Sequence, residues 1–228
     1  LQAADGSVVL IDATAGVKVG TEKVWAFAEE QSLPKIIFIN RMDRERADFF
    51  QALDTINEIF EVKATPIAIP IGEEERFSGL VDLIKQKAYV YSKDGSGTFE
   101  TTDIPDDLKD TAEEWREMMI ENVVEVDDDL MEKYLEGEEL SSKEIEETLI
   151  KGIKSGMITP VLCGSAVLNM GVPQLMDLVV DGFPSPVERE SKKGIVPETD
   201  EETERAPTVD APFSALVFKT VADPFAGK

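Results

Sequence analysis

Apolar and polar positions along this chain follow two periods. Ser7 to Asp12 (SVVLID) and Ile36 to Ile39 are short, almost continuous apolar runs, the pattern of buried strands. Between them Thr21 to Gln31 has helical spacing, with Val24, Phe27 and Ala28 among its apolar positions. Phe49, Leu53, Ile56 and Phe60 also fall at helical spacing, so the stretch DFFQALDTINEIF predicts an amphipathic helix lying on a sheet. Strand, helix, strand, helix implies a parallel sheet covered on both faces.

The pattern changes after Pro66. PIAIPIG, SGLVDLI and KAYVYS are short strand candidates separated by Gly and charged turns, and DGSGTFETT predicts a hairpin with an exposed return strand. Leu108, Trp115, Met119 and Val123 then form a helical stripe, followed by a shorter helix near Leu130 to Leu135. Ser141 with Glu144 three residues on marks the start of a third helix by a capping box. Thr159 to Cys163 (TPVLC) returns to the buried-strand pattern, and a helix carrying Val172, Leu175, Leu178 and Val179 follows. Pro184 to Asp210 has almost no large apolar residue and reads as a linker, whereas APFSALVFKTVADPFAGK alternates like the first strand of a β domain.

Composition sharpens this division. The 42% hydrophobic content suffices for a core, and 47 acidic residues against 23 basic argue against a grip on a nucleic-acid backbone. The charge is uneven, because Asp106 to Glu147 holds eighteen acidic and four basic residues. That segment, with the small sheet before it, reads as an insertion into the parallel domain. No apolar run reaches the ~18 residues of a membrane span and no secretory signal is visible, so a cytoplasmic protein is expected. A single cysteine and no histidine leave neither an internal disulfide nor a zinc site of ordinary spacing. The chain starts with Leu and runs at once into an apolar strand, which predicts a fragment that begins inside a fold.

Candidate chemistry gathers in two loops that each follow a buried strand: Asn40, Arg41, Met42 and Asp43, and Gly164, Ser165 and Ala166. In an open parallel sheet ligands collect beyond the carboxyl ends of the strands, so both loops can face one ligand. An Asp43 carboxylate can accept from the ring N–H and the exocyclic amine of guanine, whereas adenine offers it a bare ring nitrogen. Asn40 can donate to a ring nitrogen or tie the loops together, and an N–H near Ala166 can donate to the guanine carbonyl. The flat head of Arg41 can lie over the ring, and the small residues 164–166 allow close backbone approach. Asn and Asp are equally ordinary turn formers, so Asn-x-x-Asp by itself also fits a plain turn. Asp12 reads as a loop or cap residue, Cys163 as a small core residue, and Trp115, Met118, Met119 and Val123 as a packing stripe.

FINRMDRERADFF, VLCGSA, AADGSVVLIDATAGVKVGTEKVWAFAEE and LMEKYLEGEELSSKEI occur here in the order found in the elongation factor G family of translational GTPases, which the chain closely resembles along essentially its whole length. The resemblance implies an α/β fold: an incomplete P-loop-GTPase-type parallel sheet with an inserted α+β subdomain (G prime) and a stub of a β-barrel domain. It assigns 1–65 and 158–184 to the GTPase domain, 66–157 to the insertion, 185–210 to a linker and 211–228 to the second domain. It also implies GTP or GDP as ligand, read by residues 40–43 and 164–166, with Arg41 where the family usually has Lys. The phosphate loop, first switch and Asp-x-Pro-Gly-His segments of the family are not in this sequence, so Mg²⁺ binding and GTP hydrolysis are expected only of the parent protein. Gly227 and Lys228 do not replace them, because the upstream Gly and following Ser or Thr are missing. The implied partner is the ribosome, with Glu113, Glu117 and Glu121 of the acidic insertion facing the stalk protein of the large subunit. The expected roles are ribosomal translocation, or as alternatives a non-catalytic stalk-binding module and a paralogue acting in ribosome recycling.

Overall fold

The computed structural model describes Leu1 and residues 3–221. In chain order the first elements are β1 (Ser7–Asp12), α1 (Val19–Glu30), β2 (Lys35–Asn40), α2 (Phe49–Phe60) and β3 (Ala64–Pro66). Then come β4 (Ala68–Ile71), β5 (Gly79–Asp82), β6 (Lys87–Tyr91), β7 (Phe99–Thr102), α3 (Lys109–Val124), α4 (Asp128–Leu135) and α5 (Ser142–Ser155). The last are β8 (Thr159–Cys163), α6 (Val172–Gly182), β9 (Lys192–Ile195) and β10 (Glu202–Arg205). The mixed α/β class is the one expected.

The main sheet is parallel throughout, in the order β1-β2-β8-β3. Its two central strands are buried along their length, as nearly continuous apolar runs require. β1 departs from the expectation of a fully buried strand. It lies at the sheet edge, with Val9 and Ile11 inside while Val8 and Leu10 are 37% and 59% exposed. The apolar face of α1 is also shifted. Trp25 and Ala28 are buried, and Val24 and Phe27 face outward. The anchor is the indole of Trp25, which stacks on Phe60 of α2 with ring centroids 4.1 Å apart.

A second, antiparallel sheet runs β4-β5-β6-β7 and joins the first through Ile67, whose N–H donates to Val161 O at 3.0 Å. The buried apolar cluster includes residues of both sheets and of α3 and α5. α3 buries Ala112, Met119, Val123 and Val124. Met118, expected in that stripe, is exposed because it sits one residue out of phase with Met119. Trp115 is half-buried and stacks on Phe50 of α2 at 5.3 Å, so it fastens α3 to the parallel domain. Arg116, half-buried in the same helix, donates to the carbonyls of Leu83 and Ile84.

The stretch read as a linker contains the antiparallel pair β9-β10, which places Lys193 opposite Glu204. Residues 211–221, expected to form a strand, have no regular structure; a single strand has no ladder to join. Residues 223–228 (DPFAGK) lie outside the described residues. No helix among the described residues is long and apolar enough to cross a membrane.

The capping box at α5 is formed: Ser141 Oγ accepts from Glu144 N at 3.3 Å, and Glu144 Oε2 accepts from Ser141 N at 3.0 Å. The ammonium of Lys133 and the hydroxyl and amide of Ser141 hold the Glu144 carboxyl at a pKa of about 2. A carboxyl whose folded pKa is depressed stabilises the fold above its ordinary range of about 4.5, and loses that contribution as pH falls toward 2. Ser141→Ala is expected to cost about 1 kcal/mol in urea unfolding. Glu144→Gln should lower the midpoint at pH 7 and have a much smaller effect at pH 2, which acid-series unfolding curves check.

Candidate functional site

β1, β2 and β8 are neighbours, so the residues that end them share one rim of the sheet. Asp12 is in register with Asn40, and Ile39 with Cys163. This rim lies at the carboxyl ends of parallel strands, where such sheets bind ligands.

The Asn40 amide joins the two candidate loops. Its Oδ1 accepts from the N–H of Ala166 at 2.9 Å and from that of Arg41 at 2.8 Å. A second link runs from Met42 N–H to Gly164 O at 3.1 Å. The Met42 side chain is 1% exposed and fills the core, so this residue fastens the loop without facing a ligand. Arg41 takes a left-handed backbone, φ 68°, which turns the chain sharply out of β2 without a glycine. Asp43 is half-buried, and its carboxylate has no hydrogen bond or ion pair among the described residues. An unpaired, partly desolvated acceptor at a loop rim is suited to a ligand that presents two N–H donors.

The second loop is tight. Ser165 and Met170 exchange two backbone hydrogen bonds of 3.0 Å, and Ser165 Oγ accepts from Leu168 N–H at 3.3 Å. Gly164 packs against Met170 O and the Phe38 ring so closely that a Cβ there would overlap both. The Ala166 N–H, expected to meet a guanine carbonyl, is engaged by Asn40. The next amide, that of Val167, has no acceptor among the described residues and belongs to a residue 78% exposed.

Arg41 differs from the expectation in its head, which does not lie free over a ring. Its Nη1 donates to Asp12 Oδ2 at 2.7 Å, leaving the aliphatic stem as the part that can cover a planar ligand. Asp12 is therefore more than a turn residue, although its Oδ1 does accept from Thr14 N–H and Oγ1–H at 3.0 and 2.8 Å. Burial raises its pKa, but the Thr14 hydroxyl and amide and the Arg41 guanidinium outweigh that and hold it below the usual value. Sequence reading missed the pair because it depends on β1 lying beside β2. The one hint in the sequence was that each residue stands at the end of an apolar strand run.

Cys163 closes β8 fully buried, and burial pushes its thiol pKa up, which suits a core residue. Among the described residues no group of three or more His, Cys, Asp or Glu is placed to hold a metal ion. A cavity of about 690 Å³ lies away from this rim, against α3, with Glu113 and Glu117 at its acidic side and Leu83, Ile104 and Ile120 among its apolar lining. Glu121 does not line it; its carboxylate accepts from the Tyr134 hydroxyl at 3.5 Å.

Comparison with known proteins agrees with this architecture. A crystal structure of a protein from Thermus thermophilus superposes with a TM-score of 0.74 at 30% identity, over 83% of this chain and 28% of that one. The chain thus spans well under a third of that relative's length. The sequence model of the elongation factor Tu GTP binding domain matches residues 1–185, and the chain belongs to that family.

Proposed function

We propose that this chain is the guanine-reading part of an elongation factor of the elongation factor G type, which couples GTP hydrolysis to movement of tRNA and mRNA through the ribosome in the cytoplasm. The observation that carries the reading is the Asn40 bridge to Ala166 beside the unpaired Asp43 carboxylate. In this assignment 1–65 and 158–184 belong to the GTPase domain, 66–157 is the inserted subdomain, 185–210 connects, and 211–228 begins the next domain. Asp43 accepts from the two guanine N–H groups, the Arg41 stem covers the base, and the loop at Gly164, Ser165 and Ala166 closes the opposite edge. Phosphate and Mg²⁺ contacts are assigned to parent segments that these 228 residues do not contain, so the chain itself is expected to bind weakly and not to hydrolyse GTP.

Labelled GDP titrated into the chain should be displaced by GDP and not by ADP. Asp43→Asn should weaken GDP about a hundredfold and favour xanthosine diphosphate, whose carbonyl at C2 accepts from the new amide. Equal displacement by GDP and ADP would remove the guanine reading.

The acidic insertion supports a second role, docking of the ribosomal stalk protein. Glu113 and Glu117 are exposed beside the 690 Å³ cavity and its apolar lining, a surface that suits a basic partner segment. Binding of the stalk protein should be saturable at low salt, weaken as salt rises, and fall with Glu113→Gln/Glu117→Gln. Absence of saturable binding at low ionic strength would rule this docking out.

A further inference from the structure

The inserted sheet touches both base loops. The N–H of Arg46, in the loop after β2, donates to Glu74 Oε1 at 2.7 Å. Glu74 belongs to the turn between β4 and β5. Lys93, at the start of the β6–β7 hairpin, donates from Nζ to the carbonyl of the adjacent Glu75 at 2.9 Å. The tip of that hairpin reaches the second base loop, where Asn169 Nδ2 donates to Ser96 O at 3.3 Å. Asn169 N–H in turn approaches Ala166 O at 3.4 Å. The Asn40 to Ala166 bond returns to the first loop and closes a ring.

Local geometry shows that the anchor points are built. Arg46 and Asn169 both have left-handed backbones, φ 65° and 54°, a conformation that needs support from its surroundings outside glycine. The hairpin tip is fixed internally, with Ser96 N–H donating to Asp94 Oδ1 at 2.9 Å and Thr98 N–H to Ser96 Oγ at 3.1 Å. Gly97, φ 77°, lies against the Asn169 side-chain amide with no room for a Cβ, so that side chain packs directly on the hairpin backbone.

We infer that the inserted sheet braces the base-recognition loops, with Glu74 and Asn169 as positioning residues that set the spacing between Asp43 and the Ala166 loop. This rests on the reading of residues 40–43 and 164–166 as the base site. The brace has two feet, one on each loop, joined through the hairpin, and each foot meets a residue with a left-handed backbone. A partner bound to the insertion would therefore change guanine affinity, and guanine would change partner affinity by the same factor.

Amide hydrogen exchange of the whole chain without nucleotide tests the brace. Glu74→Ala should speed exchange about fivefold, the worth of one lost hydrogen bond, in residues 41–48 and also in 164–170, which Glu74 does not touch. Glu74→Gln keeps an acceptor oxygen and should restore both. Asn169→Asp keeps a residue that tolerates the left-handed backbone while losing the donor, and should loosen 41–48 from the other side. Thermal midpoints should fall by only the few degrees that one hydrogen bond is worth. Loosening confined to the mutated residue's own loop, or equal behaviour of Gln and Ala at position 74, would overturn the brace. Because no nucleotide is present, cross-loop loosening stands even if GDP proves no better a ligand than ADP, an outcome that removes the guanine reading alone. If Glu74→Ala fails to fold, Asn169→Asp decides by the same cross-loop readout.

Discussion

The side-chain carbonyl of Asn40 is the constraint on which the candidate site depends. Two loops separated by more than a hundred residues are tied where this one oxygen accepts from both Arg41 and Ala166, beside the backbone link from Met42 to Gly164. The bond is possible only because β2 and β8 are adjacent and in register, which puts the end of each strand at the same height on the rim. Adjacency in turn requires the chain to leave β2, build β3 and the whole insertion, and return to a position between them. A long excursion of that kind is entropically slow to close, so the buried central strands must supply the gain that holds it.

The parts legible in the sequence are those whose signal is local. Continuous apolar runs at Ile36 to Ile39 and Thr159 to Cys163 could be read because a central parallel strand is apolar on both faces. The α5 start could be read because a capping box is written in four consecutive residues. The candidate loops followed from the strands, since polar residues directly after a buried parallel strand must lie on the rim.

What was not legible is the neighbourhood each element acquires. SVVLID has the composition of a central strand, yet β1 is an edge strand with Leu10 on an uncovered face, and no local pattern distinguishes the two. Helical spacing in α1 offered Val24 and Phe27 as well as Trp25. The choice fell to Trp25 because Phe60 stands where an indole can stack. The β9-β10 pair escaped notice because KKGI and ETER hold no apolar alternation, and the reading followed apolar periods. Asp12 and Asn169 act through partners that only the sheet order and the hairpin reach bring near.

The electrostatics of the chain bear on how a nucleotide could be held. With a net charge of −24 the long-range field repels a phosphate-bearing ligand, so diffusional steering cannot assist capture by this segment. Arg41, Arg44 and Arg46 offset that field locally, but Arg41 is already paired with Asp12. Beyond the screening length of about 8 Å at physiological salt the acidic insertion matters less. In the proposed site, short-range contacts would then supply the binding energy: two N–H groups of a base on Asp43 and a ring face against the Arg41 stem. Those contacts are effective only at fixed spacing, because a hydrogen bond weakens steeply when its geometry opens. A site that depends on geometry more than on attraction needs a rigid frame, and the hydrogen bonds that Glu74 and Ser96 accept from Arg46 and Asn169 give both loops one.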